Sequence, residues 1–217
     1  MFGERYFATR KKLARVVADV RGLADATGLK LSAYGDDSEL LQGLKNPFLF
    51  VVCGEVNAGK STLINGLFGA GMCETNILPQ TDRVMWYRHG EEVRDDEITP
   101  VLEERYRPID FLHDFNIVDT PGTNSVMRGH QAITERFLPV ADLVLFVFPV
   151  SNPWGAATWD FIARFPEALR GKVAFILQQK DLREDGELEI ITEHMRQLAY
   201  QKLGEKPRVF AVSGRMA

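Results

Sequence analysis

Residues 48–68 read FLFVVCGEVNAGKSTLINGLF, and this stretch decides the fold. FLFVVC (48–53) is a continuous apolar run, the pattern of a strand buried on both faces. KSTLINGLF (60–68) reads as a helix. Between them, GEVNAGKST (54–62) fits G-x-x-x-x-G-K-[ST], the phosphate-binding loop. The chemistry calls for that arrangement. Gly54 and Gly59 permit backbone conformations that a side chain would block. Successive N–H groups then turn inward as an anion nest, and the helix N-terminus adds partial positive charge. A chance glycine-rich turn is the plain alternative, and the strand before and helix after argue against it. Glu55, Val56, Asn57, Ala58, Gly59, Lys60, Ser61 and Thr62 are therefore candidate phosphate contacts. Lys60 is the point charge for the terminal phosphates, and Ser61 the hydroxyl for Mg2+.

Outward from this loop the chain alternates strand and helix. VMWYRH (84–89), FNIVD (115–119), DLVLFVF (142–148), KVAFILQQ (172–179) and RVFAVS (208–213) read as strands. HQAITERFL (130–138), WGAATWDFIARFP (154–166) and LEIITEHMRQLAYQKL (188–203) read as helices. EEVRDDEITPVLEERYRP (91–108) has little periodicity and reads as an exposed connection or a small hairpin. Before Pro47 the organisation differs. Residues 2–24 repeat apolar positions at helical spacing, and DDSELLQGLK (36–45) reads as a short second helix. Repeated strand–helix units predict a three-layer α/β domain with a mostly parallel sheet over 47–217, preceded by a helical segment over 1–46. No helical pattern follows Ser213, so a chain truncated at the C-terminal end of its nucleotide domain is expected.

Composition narrows the classes. The 217 residues are 45% hydrophobic and 26% charged, with a formal net charge of -4. This argues against a dedicated nucleic-acid binder, which carries a basic face. Two cysteines, Cys53 and Cys73, make neither a disulfide framework nor a metal site. A cytoplasmic location is expected, since no apolar run nears the roughly 20 residues of a membrane span.

Two further motifs support the phosphate loop. NIVDTPG (116–122) sets Asp119 at the carboxyl end of a buried strand, where it can hold Mg2+ through water. Gly122 can offer its N–H to a terminal phosphate. In ILPQTDRV (77–84), Thr81 is the candidate switch threonine and further Mg2+ ligand, with Thr75 as the alternative. Arg83 is either a charge-stabilising finger or a solvated switch residue.

Together, GEVNAGKSTLINGLFG, PQTDRV, DTPGTNS and ADLVLFVF resemble the dynamin superfamily of large GTPases, most of all its bacterial dynamin-like branch. The resemblance covers essentially the whole chain. It implies Mg2+-dependent GTP hydrolysis, a homodimer meeting face to face across the nucleotide, and leading helices that build a neck bundle. Membrane contact, and any peripheral place at a membrane, would come from regions outside this chain. Lys60, Thr81 and Asn57 are the implied catalytic residues. In related GTPases an asparagine at the position of Asn57 helps bind a monovalent cation such as K+; the plain reading is that it tolerates a tight backbone turn. Val56 stands where eukaryotic dynamins carry a glutamine linked to the attacking water, and Thr123 where many small GTPases carry one. Slow basal turnover follows.

FILQQKDL (175–182) falls where such a GTPase reads guanine, usually with Asn-Lys-x-Asp or Thr-Lys-x-Asp. Here the residues are Gln178, Gln179, Lys180 and Asp181. Asp181 can accept from the guanine N1–H and exocyclic amine. Gln179 replaces the lysine that covers the base, and Gln178 can brace the phosphate loop. Ser213 and Gly214 of AVSG supply backbone contacts to the base. The rivals are a ribosome- or RNA-associated assembly GTPase of the Era type, a switch that binds nucleotide with little turnover, and a P-loop ATPase or kinase.

Overall fold

The computed structural model describes residues 4–29, 46–68, 73, 83–122, 136–204 and 206–216. Its contacts divide the chain into two compact units, Met1–Pro47 and Phe48–Ala217. The described part of the first unit is helix α1, Glu4–Thr27. The second helix expected over 36–45 lies outside the described residues, as does most of the one expected over 130–138.

The second unit is built on a sheet that holds, among the described residues, β1 (Phe48–Gly54), β2 (Val84–His89), β3 (Arg94–Thr99), β4 (Leu102–Arg107), β5 (Phe115–Asp119), β6 (Leu143–Pro149), β7 (Val173–Gln178) and β8 (Arg208–Val212). Its order is β3-β4-β2-β5-β1-β6-β7-β8. The helices are α2 (Lys60–Phe68), the single turn α3 (Phe111–Asp114), α4 (Ala156–Ala163), α5 (Glu167–Arg170) and α6 (Asp185–Leu203). The mostly helical stretch expected over 154–166 is α4, which ends before Pro166; α5 begins directly after that proline, whose missing N–H and fixed φ suit a helix start rather than an interior.

The central strands are the apolar runs of the sequence. All six residues of β7 and all five of β5 are buried, as double-sided coverage requires. Val51, Val118, Val144, Phe146, Phe148, Trp159 and Phe175 share one core with Met195 and Ala199 of α6. Phe161 is partly buried against this core, while Trp154 is 38% exposed and tilted against His194, centroids 4.5 Å apart.

Five strand pairs are parallel; β2–β5 and β3–β4 are antiparallel. Residues 91–108 form the β3–β4 hairpin, which extends the sheet at one edge. Charge helps hold it there: Arg107 of β4 pairs with Asp95 of β3, and Arg88 of β2 with Glu104 of β4 at 3.2 Å. Such a rim also discourages edge-to-edge pairing with another chain.

Register brings the motifs to one end. Val52 lies beside Asp119, Gly54 beside Val147, Pro149 beside Gln178, and Gln178 beside Val212. The loops after β1, β5, β7 and β8 therefore leave from the same carboxyl edge. From β1 the chain runs to β2 and β5 on one side and then crosses to β6 on the other, which makes this edge the switch point where open α/β sheets bind ligands.

Candidate nucleotide site

The loop from β1 to α2 takes backbone conformations that few side chains allow. φ is 148° at Gly54, 61° at Asn57 and 89° at Gly59. A methyl on Gly54 would overlap the Val147 carbonyl, and one on Gly59 would stand 2.7 Å from Gln178 Cγ. Asparagine is among the residues that tolerate the left-handed region, which explains Asn57 without a ligand.

Lys60 is buried and donates to the carbonyls of Gly54 at 3.2 Å and Glu55 at 2.8 Å. Burial pulls its ammonium below the ordinary lysine range, against the opposing charge of Asp119. Ser61 Oγ donates to Asp119 Oδ2 at a long 3.4 Å. Burial pushes the Asp119 carboxyl up to about 6, with Lys60 and Ser61 pulling the other way. Its second oxygen, Oδ1, is buried and accepts no hydrogen bond. A buried carboxylate oxygen left unsatisfied beside a serine hydroxyl suits a hard cation. No group of three His, Cys, Asp or Glu among the described residues could hold a metal alone.

The turn after β5 is tied to β1: Thr120 donates to the Val52 carbonyl through N–H at 3.2 Å and Oγ1 at 2.8 Å. Gly122 lies against Val56, so closely that a Cβ there would overlap the valine. The structure thus brings Val56, Gly122, Lys60, Ser61 and Asp119 together. Thr81 and Thr75 lie outside the described residues. Arg83 pairs with Glu97 of β3 at 2.7 Å and so is held toward the hairpin.

At the base side, Gln178 is 1% exposed. Its Oε1 accepts from the N–H groups of Gly214 at 2.9 Å and Gln179 at 3.1 Å, and its Nε2 donates to the Gly59 carbonyl at 3.4 Å. One side chain links the phosphate loop to the loops after β7 and β8. Gln179 sits at φ 69° and Asp181 is exposed. The Ser213 hydroxyl makes no hydrogen bond of ordinary geometry, yet lies near enough to hold the Asp181 carboxyl below its usual range. Gly59, Thr62, Gln178, Gln179, Asp181, Ser213 and Gly214 line a pocket of about 640 Å3, joined by Leu182 and Arg215. Sequence reasoning missed those two; for Arg215 the signal was its place directly after Ser213-Gly214. Glu55 is the candidate contact whose side chain leaves the phosphate side: it accepts from Thr158 Oγ1 of α4 at 2.8 Å.

A parallel sheet with this loop, a buried aspartate on the next strand and a pocket between the loops after β7 and β8 defines a phosphate-loop nucleotide-binding domain. A family model described as 50S ribosome-binding GTPase matches residues 49–205, and the chain belongs to that GTPase family. It is similar to a probable transmembrane GTPase, FZO-like and chloroplastic, of Arabidopsis thaliana. The two are 34% identical over 181 residues, 80% of this chain and 20% of that protein. Its fold matches a structure from an oligomerised bacterial dynamin pair, with a TM-score of 0.71 at 16% identity, covering 97% of this chain and 46% of the other. It also matches the LeoA bacterial dynamin GTPase from ETEC, with a TM-score of 0.60 at 17% identity, covering 97% and 38%. The chain therefore spans less than half the length of each of these proteins. No helix among the described residues is long and apolar enough to cross a membrane.

Proposed function

We propose that this chain binds GTP with Mg2+ along the carboxyl edge of its sheet and hydrolyses it as the GTPase domain of a bacterial dynamin-like protein. The observation that carries this reading is Gln178, which joins the phosphate loop at Gly59 to the pocket bordered by Asp181 and Gly214. A triphosphate nest and a base pocket in that relation suit one nucleotide spanning both.

Lys60 offers its ammonium to the terminal phosphates, and the backbone N–H groups of 56–61 and Gly122 orient them. Ser61 and Asp119 hold Mg2+, with Thr81 proposed as a further ligand. Mg2+ neutralises charge on the phosphates when bound. Asp181 selects guanine, Gln179 covers the base, and Ser213 and Gly214 complete the pocket. At position 56 a valine packs on Gly122, so no polar side chain there orients the attacking water. Basal turnover is accordingly slow. Completion of the site by a second copy across the nucleotide face raises it, by roughly 10³–10⁵ where related enzymes gain a missing charge. Asn57 is proposed to help hold K+ beside the phosphates. Helix α1 leaves Leu13, Val16, Val20 and Leu23 exposed at spacings of three and four, which suits its place in a helical segment over 1–46 that is part of a neck bundle. Membrane remodelling belongs to the longer protein.

GTP turnover at rising protein concentration is the test, in K+ and in Na+ at matched ionic strength and with EDTA. The reading expects a specific rate that climbs with concentration, is higher in K+, and vanishes with EDTA. A flat rate near zero would leave a nucleotide-dependent switch; equal rates in both salts would remove K+. A ribosomal role is favoured by the family's description, and GTP-dependent cosedimentation with 50S particles would support it.

A further inference from the structure

We infer that Glu55 is a positioning residue, clamping the phosphate loop to the N-terminus of α4. The inference rests on the nucleotide site proposed above. Glu55 is the first residue after β1, and its two ends do different work. Its carbonyl accepts from Lys60 Nζ at 2.8 Å and from Ala58 N–H at 3.3 Å, so it helps set the loop and the lysine. Its carboxylate leaves the loop and accepts from Thr158 Oγ1 at 2.8 Å.

Helix α4 is built to receive it. The cap residue is Gly155, which has no side chain to bond the first-turn N–H groups, and the first turn holds no acidic residue. A helix start without a polar cap or an anion forgoes both the cap hydrogen bond and the favourable interaction with the helix dipole. Glu55 brings a carboxylate to that place from another element. Gly155 leaves the room: a Cβ there would overlap Glu55 Oε1 and approach Cδ at 2.9 Å. Thr158 is completely buried, which makes its hydroxyl a contact in low dielectric, where hydrogen bonds to charged groups are worth most.

The anchor beneath is stiff. Trp159 Nε1 donates to the Pro153 carbonyl at 2.9 Å within the core. Val150 N–H donates to the Gln178 carbonyl at 3.0 Å, which ties the same segment to the base-side strand. Glu55 thereby links Lys60 to a platform that also carries Gln178, so the phosphate and base halves of the site hold one spacing.

The experiment measures mant-GTP affinity and ligand-free melting temperature for the wild type, Glu55→Ala, Thr158→Val, Thr158→Ser and the Glu55→Ala/Thr158→Val pair, with Lys60→Ala beside them. Thr158→Val should weaken mant-GTP binding roughly tenfold to a hundredfold, the span for a hydrogen bond to a charged group. Thr158→Ser, which keeps the hydroxyl, should restore it. The pair should be no weaker than Thr158→Val alone, because both changes break one contact. Wild-type affinity in the folded Thr158→Val protein, with only its melting temperature lowered, would overturn the clamp, as would losses that add. Should Thr158→Val fail to fold, Glu55→Ala, which removes the acceptor, carries the same decision: weakened binding supports the clamp and wild-type binding overturns it. Lys60→Ala separates the two readings. If it binds mant-GTP as well as the wild type, the nucleotide site itself is misplaced. If it is deficient while the clamp variants bind normally, only the clamp falls.

Discussion

Asp119 shows what the site asks of a single side chain. The sequence placed it at the carboxyl end of a buried strand, and it is there, 9% exposed, with Oδ1 unsatisfied. In the ligand-free protein its carboxyl titrates at about 6 because of burial, above the ordinary 3.9. The folded state therefore holds the proton after the unfolded state has lost it. The favourable term is fully present below the unfolded pKa and is lost as pH rises through about 6. A displacement of two units corresponds to on the order of 3 kcal/mol. Urea unfolding of the ligand-free protein at pH 4.5 and 7.5 should show this fall in the wild type and not in Asp119→Asn; equal slopes in the two would remove Asp119 as the cause. Residue character made some of this legible and some not. Asn57 at φ 61° is a conformation asparagine is known to favour, whereas Gln179 at φ 69° is not announced by its residue type. Nor could the sequence tell that the Glu55 side chain leaves the loop for Thr158, 103 positions away, since nothing local encodes a contact across the fold.

At the scale of elements, strand ends carry the site and strand interiors carry the fold. β1, β5, β6 and β7 were legible because a strand covered on both faces is an unbroken apolar run. The β3–β4 hairpin was only partly legible. Its cohesion comes from cross-strand pairs such as Arg107 with Asp95 rather than from alternating apolar residues, so it resembles a solvated loop in one dimension. The end of β7 is the joint between halves of the site. Gln178→Ala removes the acceptor for the Gly214 and Gln179 N–H groups and the donor to Gly59. Leaving a buried partner unsatisfied costs about 1–3 kcal/mol. Chemical denaturation should register a loss of that size, and nucleotide affinity should fall with it. A variant as stable as the wild type, with undiminished affinity, would show that β7 does not brace the phosphate loop.

For the whole molecule, the parallel sheet does the assembling. Loops separated by more than a hundred positions meet because the strands that deliver them run the same way in fixed register. The altered QQKD sequence thereby reaches the edge of a nucleotide-sized pocket, with Arg215 beside it, despite lacking the usual lysine. In the proposed function this edge reads guanine, and the base so read belongs to the nucleotide hydrolysed at Lys60. Steady-state hydrolysis of GTP and of xanthosine triphosphate by the wild type and Asp181→Asn addresses both parts at once. Xanthine presents a carbonyl where guanine presents an amine, so the wild type should prefer GTP and Asp181→Asn should lose or invert that preference. An unchanged preference for GTP in Asp181→Asn would contradict it.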